Sequence, residues 1–271
     1  MKIKKHFTYS SPKHIWRILI SESDKLILET RNMESKEVFF QCFDLVKGKK
    51  IFKDFQHEEK SWVGIEAVYR DIIYFHKYAK PDMPWHKAVI AFDIAVQKIL
   101  WSNEELSFLF AYDEKVLCFK QGFEERLFYT LNYQTGELLE DLGSNYLLVN
   151  SLKSKTEEEK DWSVYLYPQN INNADVKTKE IINDCIDKVN VTGDIEFIVF
   201  KNLVLFNYHS SGNEKTFNNN FGTLNRDSGA LILSEVLNAG VPSLYTDSFF
   251  IYKNFLFLLK EKNEVIIFNL E

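Results

Sequence analysis

The chain contains 271 residues, 45% of them hydrophobic and 15% aromatic, and its formal net charge is −6 at pH 7. The acidic balance argues against a general nucleic-acid-binding protein, which would present a basic surface, and no apolar run approaches the roughly 18 residues that a membrane helix needs. Three scattered cysteines are too few for a disulfide framework or a zinc site, and no apolar stretch follows the N-terminal lysines as in a secretory signal. We therefore expect a cytoplasmic protein with reduced thiols.

A short phrase recurs along the chain: a small residue, a spacer, Asp or Asn, a turn and an apolar run. Its acidic or amide positions are Asp44, Asp93, Asn132, Asn225 and Asn269. A spacing of roughly 40–50 residues is typical of a repeat protein. The distance from Asn132 to Asn225 is about twice that spacing, which indicates one repeat that has lost its phrase. Residues 162–167 are the expected remnant of the third strand of that repeat.

The apolar runs around each phrase predict four strands in a constant order, with the phrase on the third strand and the fourth strand after its turn. In the first repeat these strands are expected at residues 15–19, 26–28, 42–45 and 50–52. Four strands per repeat of about 40–45 residues predict an all-β protein, a β-propeller of about six four-stranded blades, with five or seven blades as the alternatives. We expect residues 1–271 to form this single domain as a monomer.

The chain ends predict how the last blade is completed. The chain stops just after a third strand, so pairing residues 3–9 beside residues 265–270 would supply the missing outer strand and remove two exposed edges. One segment departs from the β pattern: near residues 175–190, apolar positions such as Val176, Ile182 and Ile186 recur at close to helical spacing, which predicts an inserted amphipathic helix. The charged residues 153–161 are predicted to form a solvated hairpin loop.

The recurring phrase resembles the quinoprotein-type propeller repeat, Ala-x-Asp-x-x-Thr-Gly-x-x-x-Trp. Ala91, Asp93 and Trp101 match it at the right spacing, and Thr135 and Gly136 restore the Thr-Gly pair that this copy lacks. The implied roles are structural, since Asp or Asn accepts backbone hydrogen bonds at the turn, Gly takes a positive φ, and Trp packs between blades. Because such repeats occur in scaffolds and enzymes alike, the resemblance implies a fold and no activity.

A second resemblance rests on residues spread along the chain. They are Glu29, Thr30, Arg31, Asn32, Phe43, Asp44, Trp62, Phe75, His76, Lys77, Tyr78, Ala91, Phe92, Asp93, Trp101, Tyr167 and Pro168. With these residues, nearly the whole chain is similar to an uncharacterised bacterial family of cytosolic, propeller-like proteins, a domain of unknown function. The resemblance implies no known activity and no cofactor.

The ends of the predicted second strands indicate a candidate binding face, because in a propeller these strands run outward to the face where ligands and partners dock. Trp62 begins a first strand and is expected on the same side, and the loop after one second strand carries two further candidates. The candidate binding residues are Arg31, Trp62, His76, Trp85, His86 and His209. Aromatic and cationic groups together suit a polar or anionic ligand, or a protein partner.

Two functional hypotheses follow. The first is a non-enzymatic binding or protein-interaction module, with an unknown protein or a polar small molecule as partner and with no catalytic residue, cofactor or metal. His76 and His86 bracket one hairpin and can approach each other, but no third metal ligand is evident. The alternative is a hydrolase or lyase acting on a polar small molecule, with Glu66 and Glu196 as paired carboxylates in the channel. That alternative requires the two carboxylates to lie within about 5–10 Å of each other.

Overall fold

The computed structural model describes residues 2–80, 83–213 and 215–271, and at positions 80, 83 and 84 it describes the backbone alone. The described residues form mainly antiparallel sheets and two α-helices, which confirms the predicted all-β class. They divide into a first unit, Lys13–Asp161, and a second unit, which combines Met1–Pro12 with Trp162–Glu271. No helix among the described residues has the length and apolar character needed to cross a membrane. The single domain over residues 1–271 stays a prediction.

Strand β1 (Ile3–Ser10) belongs to the second unit, and the first unit consists of three four-stranded antiparallel meanders followed by a helix. The meanders are β2 (His14–Ile20), β3 (Lys25–Arg31), β4 (Val38–Asp44) and β5 (Lys49–Phe55), then β6 (Val63–Tyr69), β7 (Ile72–Lys80), β8 (Met83–Asp93) and β9 (Lys98–Asn103), then β10 (Ser107–Tyr112), β11 (Lys115–Gln121), β12 (Arg126–Asn132) and β13 (Leu138–Gly143). Helix α1 spans Tyr146–Glu158. A single parallel pair, Ser107 with Ala88, joins β10 to β8.

Apolar packing between successive meanders forms the core of the first unit. The cluster shared by the first two meanders contains two close ring pairs, Phe40 with Phe75 at 4.5 Å and Phe55 with Phe92 at 4.4 Å between centroids. Strand β3 is buried at five successive positions, 26–30, as expected of a sheet covered on both faces. Since each fully buried large side chain contributes roughly 1.5–3 kcal/mol, these contacts are a major source of the unit's stability.

The recurring phrase makes the turn contacts that its resemblance implied. The Asp93 carboxylate accepts the backbone N–H groups of residues 95 and 96 at 2.7 and 3.0 Å. The Asn132 and Asn225 side-chain oxygens accept the equivalent N–H groups two and three residues later, at 2.9 and 3.0 Å. These side chains therefore hold the turn between the third and fourth strands of their meanders.

The glycine and tryptophan of the phrase are also structural. Gly136 has a φ of 71°, and Gln97, at the same place in the preceding copy, has a φ of 57°. The Trp101 indole N–H donates to the Tyr133 carbonyl at 3.1 Å, and its ring lies so close to Gly136 that a Cβ there would be 2.6 Å from it. Trp101 thus packs one meander against the turn of the next.

The second unit contains the remaining strands, one helix and two short 3-10 turns. Its elements are the 3-10 turn Trp162–Val164, β14 (Tyr165–Leu166), β15 (Gln169–Asn170), the 3-10 turn Ile171–Asn173, α2 (Val176–Ile186), β16 (Val191–Phe200), β17 (Leu203–Ser211), β18 (Phe217–Asn225), β19 (Leu231–Val241), β20 (Phe249–Tyr252), β21 (Phe255–Lys260) and β22 (Glu264–Leu270). They form two five-stranded sheets, in the orders β15-β16-β17-β18-β19 and β1-β22-β21-β20-β14.

The N-terminal strand completes the last sheet, as predicted. Strand β1 runs antiparallel to β22, from the pair Ile3 with Leu270 to the pair Ser10 with Glu264. Beyond the strands, the backbone N–H of Lys2 donates to the Glu271 carbonyl at 2.7 Å, and the reverse bond measures 3.0 Å. Both chain ends therefore share one sheet, which leaves neither β1 nor β22 without a partner.

The helical prediction for residues 175–190 is confirmed by α2. The Asp175 side chain caps the helix by accepting the backbone N–H of Thr178 at 3.0 Å. Ile182 and Ile186 are buried against Phe206 and other apolar residues of the neighbouring sheet. The helix thus forms because its apolar face has a sheet to cover.

The prediction of a hairpin loop at residues 153–161 was wrong, because most of that segment belongs to α1. The Asn145 side chain accepts the N–H of Leu148 at 3.1 Å and caps the helix, while Val149 is buried in an apolar cluster of the third meander. Lys155 and Glu159, one turn apart, lie 3.6 Å from each other. The charged residues form the solvent-facing side of a helix rather than a turn.

Residues 162–167, which were expected to form the third strand of a degenerate repeat, have a different position in the fold. Tyr165 pairs with Tyr252, so β14 extends the edge of the last sheet beside its first strand, β20. The described residues contain five four-stranded meanders, with β1 completing the fifth, at the lower end of the expected range. Six blades were expected. Between β13 and β16, where the additional blade was predicted, the described residues form α1, α2 and the short strands β14 and β15.

Candidate functional site

The best-defined polar cluster of the first unit lies on three neighbouring strands, β6, β7 and β8. Between the pairs Ile65 with Phe75 and Ala67 with Tyr74, strand β6 carries one extra residue, Glu66. Such a bulge turns a side chain away from the alternation of its strand. The same irregularity recurs in the first strands of the neighbouring meanders, at positions 16 and 109.

A second bulge lies opposite His76. Between the pairs Phe75 with Ile90 and Lys77 with Lys87, β8 has one residue more than β7, and Ala88 adopts a φ of 63° there. A positive φ at a buried alanine is a strained conformation that packing must hold in place. His86 precedes this bulge and lies opposite Tyr78 in the register.

The two bulges bring Glu66, His76 and His86 together. The Glu66 Oε2 atom lies 2.7 Å from Nδ1 of His86, in hydrogen-bonding geometry, and 2.9 Å from Nδ1 of His76. The two imidazole rings stack with centroids 3.5 Å apart and planes inclined by 7°. His76 is only 1% exposed, whereas the His86 side chain is 31% exposed. One carboxylate oxygen thus faces two histidine nitrogens at the edge of the core.

The contact between Glu66 and His76 is close but poorly aligned. Although the atoms are 2.9 Å apart, neither ring nitrogen of His76 has a hydrogen bond of acceptable geometry within the described residues. Burial lowers the pKa of His76, and the charges of His86 and Arg17 lower it further, against the opposing effect of Glu66. We therefore treat His76 as a neutral imidazole.

The Glu66 carboxyl is ionised. Burial by itself would raise its pKa, but the close approach of the His76 ring and the hydrogen bond with His86 hold the pKa below its usual value. Two imidazoles and one carboxylate present three donor atoms, all within 4.8 Å of one another.

A buried ion pair lies beside this cluster. The Arg31 Nε and Nη2 atoms donate to Oε1 of Glu29 at 2.9 and 2.7 Å, and the other carboxylate oxygen accepts the backbone N–H of Ile65 at 3.0 Å. Glu29 is fully buried. Burial would lower the pKa of Arg31, but the charge and hydrogen bond of Glu29 raise it overall. The Arg31 guanidinium is thus permanently charged, and the Glu29 carboxylate balances its charge.

Aromatic rings surround that guanidinium on its exposed side. The Arg31 guanidinium carbon lies 4.8 Å from the Trp16 ring centroid, and Nη2 reaches the Tyr78 hydroxyl at 3.5 Å. Tyr78 meets Trp62 edge-to-face at 6.3 Å and His86 at 5.4 Å. Trp16 and Trp62 are 54% and 39% exposed. We call these five residues (Trp16, Arg31, Trp62, Tyr78 and His86) the aromatic face.

The structure brings together four of the six predicted binding residues. Arg31, Trp62 and His86 belong to the aromatic face, and His76 lies beneath it as a buried residue rather than at a rim. Trp85 precedes His86 on the same strand, beside a register shift opposite Tyr78 to Lys80, and among the described residues its ring contacts no member of the aromatic face. It is 68% exposed, but it does not belong to the same surface.

The sixth predicted residue, His209, lies in the second unit and has a structural contact. It is 3% exposed, and its Nε2 accepts the backbone N–H of Tyr245 at 3.0 Å. Burial lowers the pKa of His209, which keeps the accepting nitrogen unprotonated. The bond ties the loop after β19 to strand β17, so we exclude this histidine from the binding surface.

The second unit also has a small cleft of about 170 Å³ near Glu196. Asp194, Glu196, His209 and Tyr245 are among its lining residues. Burial raises the pKa of Glu196, and the nearby carboxylates of Asp247 and Asp194 raise it further. Its Oε2 atom is buried without a hydrogen-bond partner among the described residues.

Sequence reasoning missed Glu66 as a member of this cluster and missed Glu29 and Tyr78 as residues beside it. Glu29 and Tyr78 contributed only to the family resemblance, and Glu66 was considered as a channel carboxylate rather than as the partner of two histidines. Tyr78 follows His76 by two residues on one strand, so the sequence could have placed both side chains on the same face. The position of Glu66 was not readable, because a bulge changes which face a residue occupies and has no fixed sequence mark.

One family model matches part of the chain. Residues 20–101 match the model of a domain of unknown function, DUF4905. This match supports the predicted resemblance to an uncharacterised domain over that part of the chain. No curated protein matches the sequence.

Several solved structures are similar at low identity. An uncharacterised protein, lmo1340 from Listeria monocytogenes EGD-e, is 14% identical over 92% of this chain and 75% of its own, with a TM-score of 0.33. Kluyveromyces lactis Hsv2 is 11% identical over 96% and 74%, with a TM-score of 0.29. The Dos1 propeller is 10% identical over 95% and 56%, with a TM-score of 0.30. Similarity of this degree carries no inference about function.

Proposed function

We propose that the protein is a cytoplasmic, non-enzymatic binding module of β-propeller architecture that captures a protein partner through the aromatic face. The repeated four-stranded meanders and the pairing of β1 with β22 support the propeller. The observation that carries the binding proposal is that exposed Trp16 lies against the compensated Arg31 guanidinium, while exposed Trp62 packs on Tyr78, whose hydroxyl the same guanidinium reaches. Tryptophan, tyrosine and arginine dominate the energetics of protein interfaces.

The shape and charge of this face favour a protein partner. Its exposed groups are flat aromatic rings with polar edges, which bind by contact area at a small cost in side-chain entropy. Arg31 is held in place by Glu29, so the face is ordered before a partner arrives and little flexibility is lost on binding. A polar small molecule that stacks on the same rings is the alternative ligand.

The experiment compares two tryptophans of one meander. The full chain is immobilised, partners are captured from a lysate of the source cells, and any captured protein is identified and purified. Trp62→Ala is expected to weaken the affinity of the purified partner by about tenfold or more, as for an interface anchor. Trp85→Ala is a matched control, because it removes an exposed tryptophan of the same meander that lies outside the aromatic face, and it is expected to keep wild-type affinity. Both variants should melt within a few degrees of the wild type.

Equal loss in both variants, or no effect of either, would contradict the proposal. If no protein is captured, a small-molecule screen by thermal shift on the wild type and Trp62→Ala separates the alternative ligand from an inert surface. A ligand that stabilises the wild type and not the variant would place the alternative ahead of the protein partner.

A second candidate function is supported by one specific observation. Glu196 lines a cleft with a buried, unpartnered oxygen, and its raised pKa suits a general acid. The predicted pairing of Glu196 with Glu66 has no support, since Glu66 is engaged by two histidines. An enzyme acting on a polar small molecule would therefore use Glu196 with Asp194 or Asp247. Metabolite turnover by the wild type that is lost in Glu196→Gln would favour this candidate.

A further inference from the structure

The buried ring of His76 lacks the partners that buried polar groups normally have. Its Nδ1 and Nε2 atoms are both without a well-aligned hydrogen bond among the described residues, although the side chain is 1% exposed. Buried polar atoms in folded proteins are nearly always satisfied, and an unpaired one calls for a water, an ion or a functional role. His76 faces the carboxylate of Glu66, so the unsatisfied nitrogen and the negative charge share one place.

We propose that Glu66, His76 and His86 form a binding site for a divalent transition-metal ion of the Zn²⁺ type. Two imidazoles and one carboxylate are a donor set that zinc uses in three-ligand protein sites. Imidazole nitrogen also favours Zn²⁺, Co²⁺ and Ni²⁺ over the oxygen-preferring Mg²⁺ and Ca²⁺. The inference goes beyond the proposed partner binding, because these three side chains would bind the ion whether or not the partner is bound.

The three donor groups are assembled before any ion enters. The donor atoms already lie within 4.8 Å of one another.

The distances indicate how the site adapts on binding. Ligands at about 2.1 Å from a tetrahedral ion lie about 3.4 Å from one another, whereas Glu66 Oε2 is now 2.7 and 2.9 Å from the two Nδ1 atoms. The parallel rings must also splay, because parallel imidazoles do not direct both nitrogens at one point. His86 is the half-buried partner of the stack and is the ring we expect to move. His76, fixed in the core, stays in place.

The charges around the site set its affinity. Glu66 is the one anionic ligand, and Glu29 is committed to Arg31. Arg17 donates to the backbone carbonyl of Ile65, the residue next to Glu66 in the chain. The Arg17 guanidinium therefore repels a bound cation. Replacing it by an uncharged side chain of similar length is expected to tighten metal binding.

The test is a Zn²⁺ titration of the chelator-stripped full chain, followed by isothermal calorimetry or by competition with a chromophoric chelator. We expect one equivalent of Zn²⁺ to bind and to raise the melting temperature. Residues that only support metal ligands typically change metal affinity by about 10–100-fold. Glu66→Gln and His86→Ala remove ligands, so each should weaken Zn²⁺ binding by more than that. Co²⁺ in the wild-type chain should give the visible absorption of a low-symmetry site.

Two further variants make the test specific. His57→Ala removes another histidine of the first unit, one that accepts the Glu59 backbone N–H at 3.1 Å, and it should leave binding unchanged. Arg17→Met should tighten binding by about tenfold, as expected for removing one unit charge from a partly screened site. Absence of binding, or binding that survives Glu66→Gln, would overturn the site. Neither result bears on the partner binding tested with Trp62→Ala.

Discussion

The ring of His76 lies parallel to the ring of His86, with 3.5 Å between centroids and 7° between planes. One ring is sealed in the core and the other reaches solvent, so the stack connects the interior of the second meander to the aromatic face. Glu66 contacts both rings through one oxygen. This arrangement depends on small neighbours, because there is little space around the buried ring.

Gly64 provides that space, and we expect Gly64→Ala to destabilise the protein. A Cβ at this position would lie 3.0 Å from Cε1 and Nε2 of His76. The backbone of Gly64 is not in the left-handed region, so the effect is steric. Overpacking of this kind typically costs about 1–3 kcal/mol of unfolding free energy. Urea denaturation of the variant and the wild type measures the difference.

A double-mutant cycle identifies the origin of that cost. If the clash with the His76 ring is responsible, adding Gly64→Ala to a His76→Ala background should cost almost nothing. An undiminished cost in that background would place the strain elsewhere. The His76→Ala variant must first be shown to unfold cooperatively, because truncating a buried ring is itself destabilising.

Two glycines of the recurring phrase form a matched pair. Gly136 and Gly229 have nearly the same φ, 71° and 69°, so an alanine at either position carries a similar backbone penalty. At position 136 the new Cβ would meet the Trp101 ring at 2.6 Å, whereas at position 229 the nearest atom is 3.9 Å away, in Ile181. We expect Gly136→Ala to lower the melting temperature by several degrees more than Gly229→Ala. Equal effects would show that Trp101 moves aside without cost.

Removing residues 1–9 is expected to destabilise the second unit. The deletion takes away nearly all of β1, including the apolar side chains of Ile3 and Tyr9, and exposes the edge of β22 and the core that they cover. Each large apolar side chain that loses its burial costs roughly 1.5–3 kcal/mol. Thermal unfolding and light scattering should show a lower midpoint and aggregation through the open edge. A full-length control in which the exposed Lys4 and Lys5 are changed to Ser should behave as the wild type.

The buried carboxyl of Glu196 predicts a pH-dependent stability difference. The pKa of Glu196 is raised in the folded state. At pH values just above the ordinary glutamate pKa, the folded protein therefore binds more protons than the unfolded protein. Stability then falls as pH rises through the interval between the unfolded and folded pKa values, and the loss persists above it. Glu196→Gln removes this loss.

The measurement is the urea midpoint of the wild type and Glu196→Gln at several pH values from about 4 to about 7.5. The midpoint of the variant, relative to that of the wild type, should rise with pH across this range. The control is Asp247→Asn, which should lower the pKa of Glu196 and reduce the same pH dependence. A constant difference between variant and wild type would contradict the assignment.

Sequence signals gave reliable predictions for features formed by residues that are close together in the chain. Asp93 and Asn132 hold their turns by bonds to N–H groups two and three residues away, and α2 forms where apolar residues follow helical spacing. The pairing of β1 with β22 followed from counting strands. In contrast, the charged stretch of α1 looked like a loop because the residues that pack on the core, buried Val149 and partly buried Leu152, precede most of the charges.

The all-β class, the four-stranded repeat, the turn chemistry of the recurring phrase and the completion of the last sheet by the N-terminal strand could all be predicted from the sequence. These features depend on strand periodicity and on hydrogen bonds between near neighbours in the chain. The contact of Glu66 with His76 and His86, the position of Trp85 outside the aromatic face and the buried acceptor role of His209 became visible only in the folded structure. The reason is physical: an extra residue in a strand reverses the faces beyond it, and that register is set by pairing with other strands.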